Sequence, residues 1–588
     1  MKNKKHASIN NDSAPDEATS DDTTVKSEAT PRQKRSLLHG IASRIKQNKK
    51  VSIPAIVLGI LLLMLAIPQS RYPVLGLFIK RTFIISIVDT QSNNPITSAS
   101  VTISGITKTT DNKGSATFQS VKVGNSLVNV SKKYYKGYTA TVLIGLKQQT
   151  SLHIQLQATG RQVPIVVQNI ITKKPVSNAL ITILDTQGST DQDGKVTIVV
   201  PADKTTLSGT IKTDKYNDQT ITVKVIEQID PSNTFSITPT GKVYFLSKLS
   251  GKIDVVKTNL DGTNRQTVIA GTGKEDDTGT IMIASRDWKY LALLSRRDSD
   301  LPKLYLIDTS TDKMTTIDEG NATFSLVGWD NDSIVYLVNR NGYQVWQANA
   351  ASLKSFDAQS GKLTIIDNTQ AAGTNDYDAV YETFNTFNIA LVGNSVVYAK
   401  TWYQSYYYGS GLVNHTNNLV SVNPDNTNRK IVSSLSAAQG NYADIELYEA
   451  ETALIQVSPN NNPSPPSYYE LDASGNFKAN TTMTQQDFSK TYPVYLISPS
   501  GKASFWSEPR DGKNTLLVGD QNGDNGKSIA SLSDYETYGW FTEDYVLVSK
   551  NSSELYIMPA TGGDAIKITD YHKPIQNFNG YGGGYGFR

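Results

Sequence analysis

The sequence predicts an all-β ectodomain, two small β-sandwiches followed by a β-propeller of about seven blades, preceded by one transmembrane helix. Three observations carry that prediction: an uncharged apolar run near the amino terminus, a duplication at an offset of 80 residues within 80–230, and a turn-and-strand rhythm of 40–60 residues from about Ser232 onward. At 588 residues the chain is too long for one compact core, so several domains are required. With 38% hydrophobic and 19% charged residues it is globular in composition, and its 30 tyrosines beside abundant Thr, Ser and Asn suit strands and turns better than helices.

The amino-terminal part comes first. Residues 1–36 are Asn-, Asp-, Ser-, Thr- and Glu-rich with almost no large apolar side chain, and residues 1–50 read as a disordered basic tail. Eleven Lys/Arg face six Asp/Glu in residues 1–50, leaving 46 against 48 in the rest, so the net charge of +3 comes from the tail. No large basic face for nucleic acid is implied. From Val51 to Ile67 the chain carries no charge, and seventeen residues make a helix of about 25 Å, enough for a short span across residues 51–70. Seven Lys/Arg in the twenty residues before it and three in the twenty after place the amino terminus inside and the long part outside. Leu65-Ala66-Ile67-Pro68 is a poor small-x-small cleavage site, which favours an uncleaved anchor. The absence of cysteine removes disulfides and thiolate sites and fits a prokaryotic envelope.

Residues 80–158 and 159–230 are the two sandwiches. Pro95, Ala99, Thr110-Asp111 and Gly114 recur as Pro175, Ala179, Thr190-Asp191 and Gly194, between alternating runs such as Phe83–Val88 and Val163–Val167. The phrase P-x-x-x-A-x-V, then T-D-x-x-G, then Lys133-Tyr134-Tyr135-Lys136-Gly137-Tyr138, resembles the carboxypeptidase regulatory-like family. That resemblance implies a transthyretin-like sandwich acting as spacer or binding module. Only Lys215-Tyr216 stands for the last element in the second copy. No Glu lies between Thr82 and Val225, against the internal amide cross-link of related surface modules. Asp191 and Asp193 are too few oxygens for calcium, and a type I′-like hairpin turn is expected instead.

Residues 232–572 carry the phrase S/T-P-x-G-K before an alternating strand, as in Thr238-Pro239-Thr240-Gly241-Lys242 and Ser498-Pro499-Ser500-Gly501-Lys502. A variant places Gly-Trp first, at Gly328-Trp329 and Gly539-Trp540. A second phrase, Asn259-Leu260-Asp261-Gly262-Thr263-Asn264-Arg265, matches Asn423-Pro424-Asp425-Asn426-Thr427-Asn428-Arg429. Such meanders bury their faces by radial packing. The phrases resemble the TolB-like propeller of the Tol system and the propellers of prolyl-oligopeptidase-type enzymes. Residues 573–588 form a flexible Gly/Tyr-rich tail.

Candidate chemistry is sparse. There is no G-x-S-x-G elbow and no βαβ alternation, so the hydrolase domain of those enzymes is missing. His153, His415 and His572 show no metal spacing, and Asp520–Gly526 departs from a calcium loop at its sixth and twelfth positions, Asn525 and Ser531. No catalytic residue, metal or cofactor is expected. The notable excess is aromatic: Trp402, Tyr403, Tyr406, Tyr407 and Tyr408 in one insert, and Tyr468 and Tyr469 in another. Beside Gln, Asn and Ser, such side chains stack on sugars or peptides, or else pack on neighbouring blades. The expectation is a membrane-anchored, extracytoplasmic, non-catalytic binding or scaffold protein whose propeller takes a protein or glycan ligand. The alternatives are an envelope assembly factor that docks a partner protein, and a carbohydrate-active enzyme with paired carboxylates in the central funnel.

Overall fold

A computed structural model of the chain describes residues 54, 56–60, 62–63 and 68–570, apart from short stretches at 147–148, 345–346, 373–379, 407–408, 413–415, 437–440, 450–451, 460–464, 485–495, 521–522, 524, 532–534 and 552. The expected tails at 1–50 and 573–588 lie outside the described residues, as does much of the expected span at 51–70. Residues 54, 56–60, 62 and 63 of that span are helical and exposed. Among the described residues no helix is long and apolar enough to cross a membrane. Helix α1 (Pro68–Gly76) precedes the first sandwich and lies against it: a Cβ on Gly76 would stand 2.4 Å from the carbonyl oxygen of Val123.

The duplicated sequence folds twice into one topology. In the first copy β1 (Lys80–Asp89), β4 (Ser115–Lys122) and β7 (Gln149–Leu156) form a three-stranded sheet in the order β4-β1-β7. Strands β2 (Ser100–Ile103), β3 (Ile106–Thr109), β5 (Gly124–Ser131) and β6 (Tyr138–Ile144) form the facing sheet, β3-β2-β5-β6. The second copy repeats this with β8 (Arg161–Asn169), β11 (Lys195–Val200) and β14 (Thr234–Ile237) against β9 (Leu180–Ile183), β10 (Thr186–Ser189), β12 (Thr206–Lys212) and β13 (Gln219–Lys224). Alternate side chains point inward, and each copy closes over its own core, Phe83–Leu156 in one and Val163–Ile237 in the other. Strand β14 runs parallel to β8, so the second sandwich extends to Ile237 rather than ending at 230.

The Thr, Ala, Asp and Gly of the repeated phrase each have a physical task. Thr110 Oγ1 donates to Ile96 O at 2.6 Å and accepts from Ala99 N at 2.9 Å; Thr190 does the same with Val176 and Ala179 at the same distances. Ala99 and Ala179 are fully buried. Asp191 Oδ1 accepts from the amides of Asp193 and Lys195, so its carboxylate is spent on its own turn. Gly194 has φ +70°, and a Cβ there would meet Val167 O at 2.4 Å. Asp193 is not left-handed, so the turn is of type I followed by a left-handed glycine, not the primed turn expected.

From Val243 to Asp570 the described residues form seven sheets: blade 1 (residues 243–269), blade 2 (281–319), blade 3 (322–368), blade 4 (371–436), blade 5 (441–479), blade 6 (496–531) and blade 7 (535–570). Shared apolar cores join blades 1 and 2, 2 and 3, 3 and 4, 4 and 5, and 6 and 7. The core holding Phe245 and Leu260 of blade 1 also holds Phe541, Leu547 and Ile568 of blade 7, which closes the ring into a propeller. Blade 1 has three strands, because the segment before it, Thr234–Ile237, pairs with β8 instead. Trp288 of blade 2 reaches across: its indole packs on Phe541 at 5.5 Å and donates to Trp540 O at 3.1 Å. Trp288 sits where the S/T-P-x-G-K phrase has glycine and keeps the left-handed backbone, φ +60°. The Gly-Trp variant has its own reason. Register shifts fall at Gly328 and Gly539, and bulges of this kind re-aim the following side chain. Trp329 stacks on Tyr290 of blade 2 and Trp540 stands edge-on to Phe505 of blade 6.

The passages between modules are two copies of one joint. Asp89 Oδ1 ends β1 by accepting from Gln91 N and Ser92 N, and its carboxylate also takes Gln162 Nε2 of the second sandwich at 2.9 and 3.0 Å. Asn169, its equivalent, accepts from Ile171 N at 2.7 Å and Thr172 N at 2.9 Å. Its Nδ2 donates to Tyr216 at 3.1 Å and to Tyr545 of blade 7 at 2.8 Å. Thr159 N bonds Tyr134 O at the first joint and Thr240 N bonds Lys215 O at the second. Ile171 is buried in the propeller's own core. The T-P-T-G-K phrase is therefore a module joint as well as a blade opening.

Candidate binding site on the propeller

Blade 4 carries the features that set the propeller apart. Its two longest strands, Val380–Val392 and Ser395–Tyr406, run 13 and 12 residues where the other described propeller strands run nine or fewer. The extra length forms a hairpin on which Trp402 lies opposite Glu382, Tyr403 opposite Tyr381, and Tyr406 opposite Gly409 of a further short strand. Tyr407 and Tyr408 lie outside the described residues. In blade 5, Tyr468 is 6% exposed and Tyr469 stacks on Phe477 at 4.7 Å. Those two tyrosines, expected at a ligand surface, belong to the packing of the blade, because their strand lies within the sheet rather than beyond it.

The root of the hairpin is a buried charge cluster. Lys400 Nζ lies 2.6 Å from Glu382 and 3.3 Å from Asp367, with side chains 14, 8 and 17% exposed. Tyr398 donates to Asp367 at 2.6 Å and accepts from Arg429 at 2.8 Å. Burial, then the Asp367 carboxylate, holds the Tyr398 phenol well above its ordinary pKa. Related clasps stand at other seams: Tyr336 and Lys354 share Asp318, and Tyr244 and Lys257 share Asp312. Such satisfied groups pin one blade to the next and account for Tyr244, Tyr336 and Tyr398 without any ligand.

At the other end of the same blade lies a cavity of about 450 Å3, in the range of small-ligand sites. It is walled by Asn394 and Ser395 from one turn and by Ser421, Asn423, Asn428 and Lys430 around another, with the Ala473–Gly475 turn of blade 5 as the far side. Amides and hydroxyls there both donate and accept. Ser395 and Tyr406 are the two ends of one strand, about 35 Å apart by strand rise, so the cavity and the aromatic tip are separate places. Sequence reasoning found the aromatic residues and missed the cavity, whose only sequence signal is small residues at blade positions held elsewhere by large ones.

One carboxyl stands apart from the clasps. Asp330, 6% exposed where the first strand of blade 3 turns into the second, has a buried Oδ2 without a hydrogen bond, and burial pushes its pKa up to about 6 against the pull of Arg286. Among the described residues no three His, Cys, Asp or Glu side chains converge as a metal site would need.

The fold is a propeller carried on tandem sandwiches. No family model matches the chain, and no curated protein matches it. Among solved structures it is similar to an oligogalacturonate lyase in complex with manganese, at 11% identity over 55% of this chain and 84% of that one, TM-score 0.29. It is similar to TolB from Acinetobacter baumannii at 12% identity, 55% and 77% coverage and TM-score 0.26. The β-propeller domain of the trilobed protease from Pyrococcus furiosus gives 14% identity, 57% and 94% coverage and TM-score 0.30. Similarity at this level says nothing of activity.

Proposed function

We propose that the chain is a membrane-anchored, extracytoplasmic binding or scaffold protein that presents its propeller to a ligand and performs no catalysis. The segment at 51–70 anchors it with the amino terminus inside, and the two sandwiches, akin to carboxypeptidase regulatory-like modules, hold the propeller away from the bilayer. The observation that carries this reading is the repeated joint: Asp89 with Gln162, then Asn169 with Tyr545, make sandwich, sandwich and propeller one continuous body. A stalk with fixed joints suits display.

The test uses the full-length protein. Protease added to intact cells is expected to degrade residues 80–588 and to spare the tail; the reverse pattern refutes the anchor. The detergent-solubilised protein is then incubated with its own envelope extract, separated into polysaccharide and protein. Enrichment of polysaccharide supports a glycan ligand, and one stoichiometric protein band supports an assembly partner. Retention of neither, against a heat-denatured control, ends the binding reading. Turnover of an envelope glycan by the purified protein would replace it with the enzymatic one.

A further inference from the structure

The cavity in blade 4 is a seam clasp emptied of its side chains. Register pairs the blades residue for residue: Val243 faces Thr258 in blade 1 as Val396 faces Val422 in blade 4, and Tyr244 faces Lys257 as Val397 faces Ser421. The hairpin of Asn259–Arg265 is likewise repeated by Asn423–Arg429, down to the Asn259 and Asn423 amides on Thr263 and Thr427. Between blades 1 and 2 the space is filled. Tyr244 donates to Asp312 at 2.9 Å, Lys257 pairs with the same carboxylate, and Lys242 donates to Asn259. Between blades 4 and 5 the corresponding residues are Ser395 for Lys242, Val397 for Tyr244 and Ser421 for Lys257. The turn that brought Asp312 is a residue shorter and ends in Gly475.

Two lysines, a phenol and a carboxylate have thus left one seam, and one cation stands beside the vacancy. Lys430 Nζ lies 4.0 Å from where a Cβ on Gly475 would be, and among the described residues it has neither a hydrogen bond nor an ion pair. The walls supply hydroxyls and amides, and among the described residues no other charged side chain lines the space. At other seams the cation has a carboxylate of the chain; here the anion is left for a ligand to bring. The three amides and three hydroxyls match a partner dense in hydroxyl groups.

We propose that this cavity is a subsite for an acidic, hydroxyl-rich saccharide, whose anionic group pairs with Lys430 while its hydroxyls meet Asn394, Asn423, Asn428, Ser421 and Ser474. The anion is a carboxylate, as in a uronate, or a phosphate diester, as in a polyol phosphate. The proposal names a ligand class for the display surface proposed above and rests on that reading.

Titration calorimetry of the detergent-solubilised full-length protein tests it with three probes: a glucuronate tetrasaccharide, the same tetrasaccharide with its carboxyls reduced to alcohols, and a glycerol phosphate trimer. One acidic probe is expected to bind at least ten-fold more tightly than the neutral one, and which of the two does so assigns the anion. Lys430→Ala, an exposed change that leaves the fold intact, is expected to remove that preference. Giving Lys430 a carboxylate of the chain with Ser421→Glu, whose position faces Lys430 in register, is expected to abolish acidic binding. Equal affinity for acidic and neutral probes, or acidic binding indifferent to Lys430→Ala, overturns the proposal. So does the absence of saccharide binding, and capture of a protein partner in that case leaves the display reading standing while this subsite falls.

Discussion

Asn169→Ala should uncouple the propeller from its stalk, and its cost follows from four hydrogen bonds made by one side chain. The substitution strips an acceptor from Ile171 N and Thr172 N and a donor from Tyr216 and Tyr545. Tyr216 and Thr172 are partly exposed and can turn to water; Ile171 at 2% and Tyr545 at 8% exposure cannot. Leaving two buried groups unpaired costs about 2–5 kcal/mol. Tyr545→Phe removes one of those bonds without orphaning Asn169, which keeps Tyr216, and should cost about 1 kcal/mol. Asp89→Asn at the equivalent joint should cost under about 1 kcal/mol, because the amide oxygen still takes Gln91 and Ser92 and Gln162 can turn its oxygen to the new Nδ2. All six tryptophans lie between residues 288 and 540, so tryptophan fluorescence during urea unfolding reports the propeller alone. The Asn169→Ala midpoint should fall well below that of Tyr545→Phe, with proteolysis appearing between Asn169 and Lys174. A propeller transition within about 0.5 kcal/mol of the wild type would refute the joint as a coupling device.

Trp288→Gly relieves a left-handed backbone worth about 1 kcal/mol but removes the indole packed on Phe541 of blade 7, for a net loss of about 2–4 kcal/mol by calorimetry; a more stable variant would show that the ring closes without it. Asp330 has a folded pKa of about 6 against an ordinary 3.8, so the stability it lends at low pH is lost as pH rises through 6. Asp330→Asn should therefore be more stable than the wild type above pH 6, by up to about 3 kcal/mol. That advantage should shrink between pH 6 and 4 and vanish below, as read by melting temperature across pH. In the Asp318 clasp, Lys354→Met should cost about 3–5 kcal/mol by leaving a carboxylate at 10% exposure, while Tyr336→Phe should cost about 1–2 kcal/mol, and equal effects in thermal melts would contradict the ion pair's part.

The duplication and the alternating runs determined the sandwiches, because a period of two with a polar turn every few residues leaves the chain few ways to hide its apolar face. Gly114, Gly194 and Thr190 could be read from sequence for a related reason: each task is local, within a turn or between adjacent strands. The S/T-P-x-G-K rhythm likewise announced blades. It also misled, since at Thr238–Lys242 the same phrase serves a joint, and Ile237 before it pairs with β8 rather than with blade 1. Only the tertiary structure decided that. Whether β14 joins one sheet or another depends on an edge left open by residues some seventy positions away.

The site divides the same way. Aromatic clusters stand out in a sequence because a run such as Trp402–Tyr408 is local, yet Tyr468 and Tyr469 turned out to be packing, since burial is a property of the neighbours. The cavity beside Lys430 is made by what Ser395, Ser421 and Gly475 lack, and an absence has no signature until the blades are laid in register. The sequence by itself determined which segments become strands and turns, through periodicity and backbone preference acting over a few residues. Which seam is filled and which is empty was decided in three dimensions, because it depends on side chains that meet only when blades pack.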